Sequence, residues 1–174
     1  QAQTGPSLRR HLSLGSTSLN LLLIFQGVHE SLAKILVVED NDNDVELMLL
    51  SLGELKLANE IVIVRDGVEG LDYLYRRGRF AAREGDQPLF MLLDLNMPRM
   101  GGIDMLVEMR RDDGLRTLPV VIMTSSREDP DLRRCYDLGI NAYVVKPVDF
   151  DQFSRTVTNL GIFWALINEP PPRI

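Results

Sequence analysis

Apolar residues fall into two alternating patterns along this chain. Short unbroken apolar runs, Ile35–Val38, Ile61–Val64, residues 89–94, Val120–Thr124 and residues 141–145, read as strands buried on both faces. Between and after them apolar residues recur every third or fourth position: Val45, Met48, Leu49, Leu52 and Leu55; Val68, Leu71, Leu74 and Tyr75; Ile103, Leu106 and Met109; Leu132, Cys135 and Leu138; Phe150, Phe153, Val157, Leu160 and Trp164. That spacing puts each set on one face of a helix. Asp42 or Asn43 is a candidate cap for the first helix, and the second should stop near Gly78. Residues 79–87 make a polar surface loop, and Pro98 with Gly101-Gly102 forces a turn before the third helix. Five strand–helix units in succession predict an α/β fold: a doubly wound, five-stranded parallel sheet with helices on both faces, flavodoxin-like, strand order 2-1-3-4-5.

Charge collects where three of these strands end. Glu39-Asp40 follows the first strand, Asp94 the third, and Lys146-Pro147 the fifth. In a parallel sheet the carboxyl ends share one edge, so three carboxylates and an ammonium are expected to line one crevice. Composition narrows the chemistry around it. With 25 acidic against 19 basic residues and a formal charge of −6, and with no Lys/Arg-rich stretch, direct nucleic-acid binding is not expected. The single cysteine, Cys135, forms no internal disulfide and no Cys/His set is spaced for zinc, which fits a reducing cytoplasm.

Residues 1–33 break the alternation. They hold Gly5-Pro6, Arg9-Arg10, both histidines and an apolar segment from Leu21 to Phe25 that is far short of the roughly 20 residues a membrane span needs. No small-residue cleavage site follows Phe25, so the segment is expected to be an N-terminal extension, or a remnant of cloning given the opening Gln1, rather than a signal peptide or anchor. The organisation expected is therefore an extension over 1–33, a domain over 34–167, and a Pro-rich tail over 168–174 with no output domain.

From about Lys34 to Leu166 the chain resembles the receiver domain of two-component response regulators. Glu39-Asp40, Asp94 followed by Met97-Pro98 and Gly101-Gly102, Thr124-Ser125, Tyr143 and Lys146-Pro147 stand in that family's order. The resemblance implies a phosphoryl group passed from a histidine kinase onto Asp94, with Mg²⁺ as cofactor. A carboxylate is a competent nucleophile toward phosphorus once the incoming negative charge is neutralised. Mg²⁺ takes one or two carboxylates plus phosphate oxygens, which Asp40 and Asp94 supply with Glu39 close by. The backbone carbonyl of Asn96 resembles the family's remaining protein ligand. Lys146 and the Thr124 hydroxyl clamp the phosphoryl oxygens. In the family's pattern a cis bond before Pro147 aims that lysine inward. Thr124 and Tyr143 match the family's switch pair, whose motion remodels helix four, strand five and helix five. Asn96 and Ser126 resemble positions that tune loss of the phosphoryl group.

Arg65-Asp66-Gly67-Val68-Glu69-Gly70, Tyr73-Leu74, the long loop before strand three and the aromatic last helix resemble, more narrowly, the small stand-alone regulators paired with bacterial phytochromes. This implies a light-responsive sensor histidine kinase as phosphodonor and a homodimer through helix four, strand five and helix five. Phe163 and Trp164 there are about 100° apart on a helix, so they cannot both face the core. An aspartyl-phosphate hydrolase would want a second aspartate where Asn96 stands. A nucleotide-binding flavodoxin-like module would want a phosphate loop where the acidic run 39–42 would repel phosphate. A scaffold with a receiver fold that signals without phosphorylation stays open as the alternative.

Overall fold

The computed structural model describes residues 34–55 and 60–169. The expected extension over 1–33 and nearly all of the Pro-rich tail lie outside the described residues. Strands β1 (Ile35–Val38), β2 (Ile61–Val64), β3 (Phe90–Leu93), β4 (Val120–Thr124) and β5 (Ala142–Val145) form one parallel sheet in the order β2-β1-β3-β4-β5. Helices α1 (Asp42–Gly53), α2 (Gly67–Leu74), α3 (Gly102–Arg111), α4 (Asp129–Asp137) and α5 (Phe150–Ile162) alternate with them. This is the expected doubly wound α/β fold and strand order.

Alternation along the strands explains why helices cover both faces. Leu36, Val38, Met91, Leu93, Val120 and Ile122 point to one side, where they meet Tyr73 and Leu74 of α2, Met105, Leu106 and Met109 of α3, and Cys135 of α4. Ile35, Val37, Phe90, Leu92, Val121 and Met123 point to the other, against Met48 and Leu52 of α1 and Phe153 and Val157 of α5. The chain continues past α5 into one π-helical turn, Phe163–Ile167. That turn rotates Trp164 inward to stack on Phe90 at 6.3 Å and leaves Phe163 exposed, resolving which of the two aromatics joins the core.

Several local expectations are corrected. Asn41, rather than Asp42 or Asn43, caps α1, its Oδ1 accepting from the backbone N–H groups of Asn43 and Asp44. Leu49 and Leu132 follow helical spacing yet are substantially exposed, Ser51 taking a buried place on α1 through hydrogen bonds to Leu47 O and Ser154 Oγ. In α2 the deeply buried residues are Gly67, Gly70, Tyr73 and Leu74, whereas Val68, Leu71 and Tyr75 sit at the margin. The loop after α2 opens with a 3₁₀ turn, Gly78–Phe80, and is tied down by side chains: Phe80 meets the Tyr73 ring edge-on, Arg76 donates to Gly85 O, and Gln87 donates to Leu74 O. No described peptide bond is cis, so the expected cis bond before Pro147 is replaced by a trans one. The lysine before it still points inward, drawn by the carboxylates described below.

Candidate functional site

The sheet hydrogen bonds run one residue past the strands and fix the backbone of each charged residue at the carboxyl edge. Glu39 donates its N–H to Val64 O, Asp94 to Val38 O, and Lys146 to Thr124 O, all at 2.8–3.0 Å. Neighbouring strands therefore present Glu39, Asp94, Thr124 and Lys146 side by side, although their spacing in sequence is wide. All four are buried. Gly102 allows the adjoining helix to start directly over this edge: a Cβ there would lie 2.2 Å from the Asp94 carbonyl oxygen.

Lys146 stands at the centre of a carboxylate cluster. Its Nζ donates to Glu39 Oε2 at 2.6 Å and to Asp44 Oδ2 at 2.8 Å, and lies 3.7 Å from Asp94 Oδ2. Burial pulls the ammonium pKa down, but the bonds to Asp44 and Glu39 outweigh it and the net direction is up, so Lys146 is a cation. Burial raises the Glu39 carboxyl to about 7 against the opposing pull of Lys146. Asp94 Oδ1 is buried and has no hydrogen-bond partner. An orphaned buried carboxylate oxygen beside a buried cation is costly unless something is meant to occupy it.

Glu39, Asp40 and Asp94 each offer a carboxylate oxygen, and these oxygens lie within 4.8 Å of one another, with Asp40 exposed and the other two buried. An all-oxygen set with one open side fits a hard divalent cation that keeps waters. The orphaned Asp94 oxygen supports the same fit. Asn96, expected to contribute its carbonyl, is exposed on the β3–α3 loop two residues beyond Asp94.

The remaining expected residues form a second tier. Thr124 Oγ1 accepts from Ser126 N at 3.2 Å, Ser126 Oγ donates to Asp131 Oδ2 at 2.9 Å, and the Tyr143 hydroxyl donates to Ser126 O at 3.3 Å. Thr124 and Tyr143 are thus joined through the β4–α4 loop, and Ser126 is the joint. On the other side, Arg65 pairs with Asp42 at 2.7 Å and donates to the Glu39 carbonyl at 3.4 Å. Arg99, with φ of 59°, reaches the buried Asp66 carboxylate, whose other oxygen caps α2. Sequence reasoning missed these ties and the Asp44–Lys146 bond. The available signal for Asp44 was its place in the first turn of the helix that starts two residues after Asp40.

The profile of the response regulator receiver domain matches residues 35–158. The probable methanogenesis regulatory protein FilR2 of Methanothrix harundinacea is 37% identical over 137 residues, spanning 79% of this chain and 86% of that protein. Among solved structures, the phosphorylated cyanobacterial phytochrome response regulator RcpA has a TM-score of 0.76 and 34% identity, covering 82% of this chain and all of that one. The bacteriophytochrome response regulator RtBRR has a TM-score of 0.65 and 52% identity, covering 81% of this chain and 85% of that one. The Mn²⁺-bound form of response regulator Rcp1 has a TM-score of 0.75 and 29% identity, covering 80% and 99%.

Proposed function

Because the chain belongs to the response regulator receiver family, we propose that Asp94 accepts a phosphoryl group from the phosphohistidine of a sensor histidine kinase and that the chain then signals through protein contacts. A carboxylate oxygen of Asp94 attacks phosphorus, the P–N bond to the kinase imidazole breaks, the ring nitrogen keeps the electron pair, and an acyl phosphate results. Lys146 and the Thr124 hydroxyl would hold the phosphoryl oxygens. Asp40 and Asp94, with Glu39 and the Asn96 carbonyl, would hold Mg²⁺, a choice supported by the all-oxygen donor set and by the Mn²⁺ bound to Rcp1. When bound, the cation supplies positive charge against the phosphoryl oxygens. The observation that carries this reading is the buried, unpartnered Oδ1 of Asp94 beside a buried ammonium.

Phosphorylation then draws Thr124 toward the new charge, and through Ser126 the Tyr143 hydroxyl is released to rotate, altering the surface of α4, β5 and α5. A homodimer through that surface is the proposed readout. The relatives RcpA and RtBRR support a phytochrome-type kinase as phosphodonor, and the chain's span of FilR2 supports a stand-alone regulator over residues 34–167, with 1–33 an extension and 168–174 a tail. No helix among the described residues is long and apolar enough to cross a membrane. We assign the protein to the cytoplasm, where such kinases present their phosphohistidine.

Incubation with acetyl phosphate and Mg²⁺, followed by intact mass, tests the reading. One phosphoryl adduct is expected on the wild type, with none in EDTA and none on Asp94→Asn. A folded wild type that stays unmodified, or an adduct that survives in Asp94→Asn, would overturn it.

A further inference from the structure

Asp44, in the first turn of α1, has no part in phosphoryl transfer, yet its Oδ2 accepts a 2.8 Å hydrogen bond from Lys146. The same ammonium is bonded at 2.6 Å to Glu39 and stands 3.7 Å from Asp94, beyond hydrogen-bond length. Lys146 is therefore committed to two other carboxylates and only near the one it would serve. We propose that Asp44 is a positioning residue that parks Lys146 off Asp94 in the unphosphorylated protein and releases it when a phosphoryl group arrives. The inference rests on Asp94 being the phosphoacceptor.

The two bonds of Lys146 differ in how readily they break. The Glu39 side chain is 1% exposed and the Asp44 side chain 24%, so Asp44 regains hydration when the lysine leaves, whereas Glu39 would be left buried with only the Asn41 N–H as partner. The backbone of Asp44 is held separately, its N–H donating to Asn41 Oδ1 at 3.2 Å, so the turn does not depend on the lysine. Lys146 is the only ion-pair partner of Asp44 recorded among the described residues. Parking also leaves Asp94 Oδ1 without a donor, and an uncommitted carboxylate oxygen is the better nucleophile. A bond present in only one of two states stabilises that state, so the Asp44–Lys146 bond opposes phosphorylation by its own net worth. For a partly exposed, charge-assisted hydrogen bond this amounts to roughly three- to tenfold in the equilibrium.

Beryllofluoride, formed from beryllium chloride and sodium fluoride in saturating Mg²⁺, is the probe, with the Thr124 and Lys146 amide resonances as the readout. Asp44→Asn is expected to bind it three- to tenfold more tightly than wild type, and Asp44→Glu, which keeps the carboxylate, to bind within twofold of it. Asp42→Asn, which removes a neighbouring charge paired to Arg65 instead, is also expected to stay within twofold of wild type. Equal or weaker binding by Asp44→Asn would overturn the parking role. So would equal tightening by Asp42→Asn, which would indicate only a general loss of negative charge. If wild type itself fails to bind, or Asp94→Asn binds as well as wild type, the acceptor assignment is wrong and the parking role falls with it.

Discussion

At the scale of single residues the site is a balance between burial and charge. Glu39 is buried with its carboxyl raised to about 7 from 4.5, so the folded protein holds this proton more tightly than the unfolded chain does. Its protonation therefore favours the fold fully below about pH 4.5, and that contribution is lost as pH rises through about 7. Lys146 limits the loss. In Lys146→Met the carboxylate would stand buried without a cation, a situation that costs on the order of 3–5 kcal/mol unless the group neutralises. Urea midpoints measured in EDTA should accordingly fall further below wild type at pH 8 than at pH 5; an equal deficit at both values would mean that the variant suffers from lost packing rather than a stranded Glu39 charge. The meeting of Asp94, Glu39 and Lys146 was legible in the sequence because parallel strands bring the residues at their ends to one edge. The partnership of Asp44 with Lys146, 102 positions away, was not, because periodicity gives the face of a helix but not the direction a polar side chain takes from its first turn.

At the scale of elements, strands were read almost residue for residue, since a buried parallel strand has apolar side chains on both faces and no polar alternative. Helices were read by existence but less well by face. α4 shows why: three apolar positions mark a stripe, yet only Cys135 is buried, with Leu132 39% exposed. α3, by contrast, buries Gly102, Met105, Leu106 and Met109. An element that buries one small side chain opens more readily than one that buries several. Burial also pushes the Cys135 thiol up to about 11, so at pH 8 it is protonated and hidden, and alkylation requires α4 to lift. Iodoacetamide at pH 8 is expected to label Cys135 at least about tenfold faster than global unfolding allows, as expected for sub-global opening of a weakly held element. Labelling at the global unfolding rate would show that α4 stays docked until the whole domain unfolds.

At the scale of the molecule, the sheet, its order and the edge where charges gather were legible in the sequence, while which aromatic after α5 faced outward was not. A single π-helical turn decides that, and no apolar spacing announces such a turn. Its result is that Phe163 is 47% exposed, as Tyr136 of α4 is at 52%. Large aromatics left in solvent are suited to a protein contact, and the proposed switch would make that contact in one state and not the other. A specific dimer needs roughly 800 Å² from each partner, which isolated side chains do not supply, so the flanking surface of α4 and β5 must take part. Light scattering behind size-exclusion chromatography is expected to show beryllofluoride and Mg²⁺ raising the dimer fraction of wild type. Tyr136→Asp should remain monomeric under the same conditions while its Asp94 still takes up phosphoryl from acetyl phosphate, because an exposed substitution of this kind changes stability by only about 0.5 kcal/mol. If Tyr136→Asp dimerises as wild type does, the contact lies on another face, and the aromatics of α4 and α5 are there for a different partner.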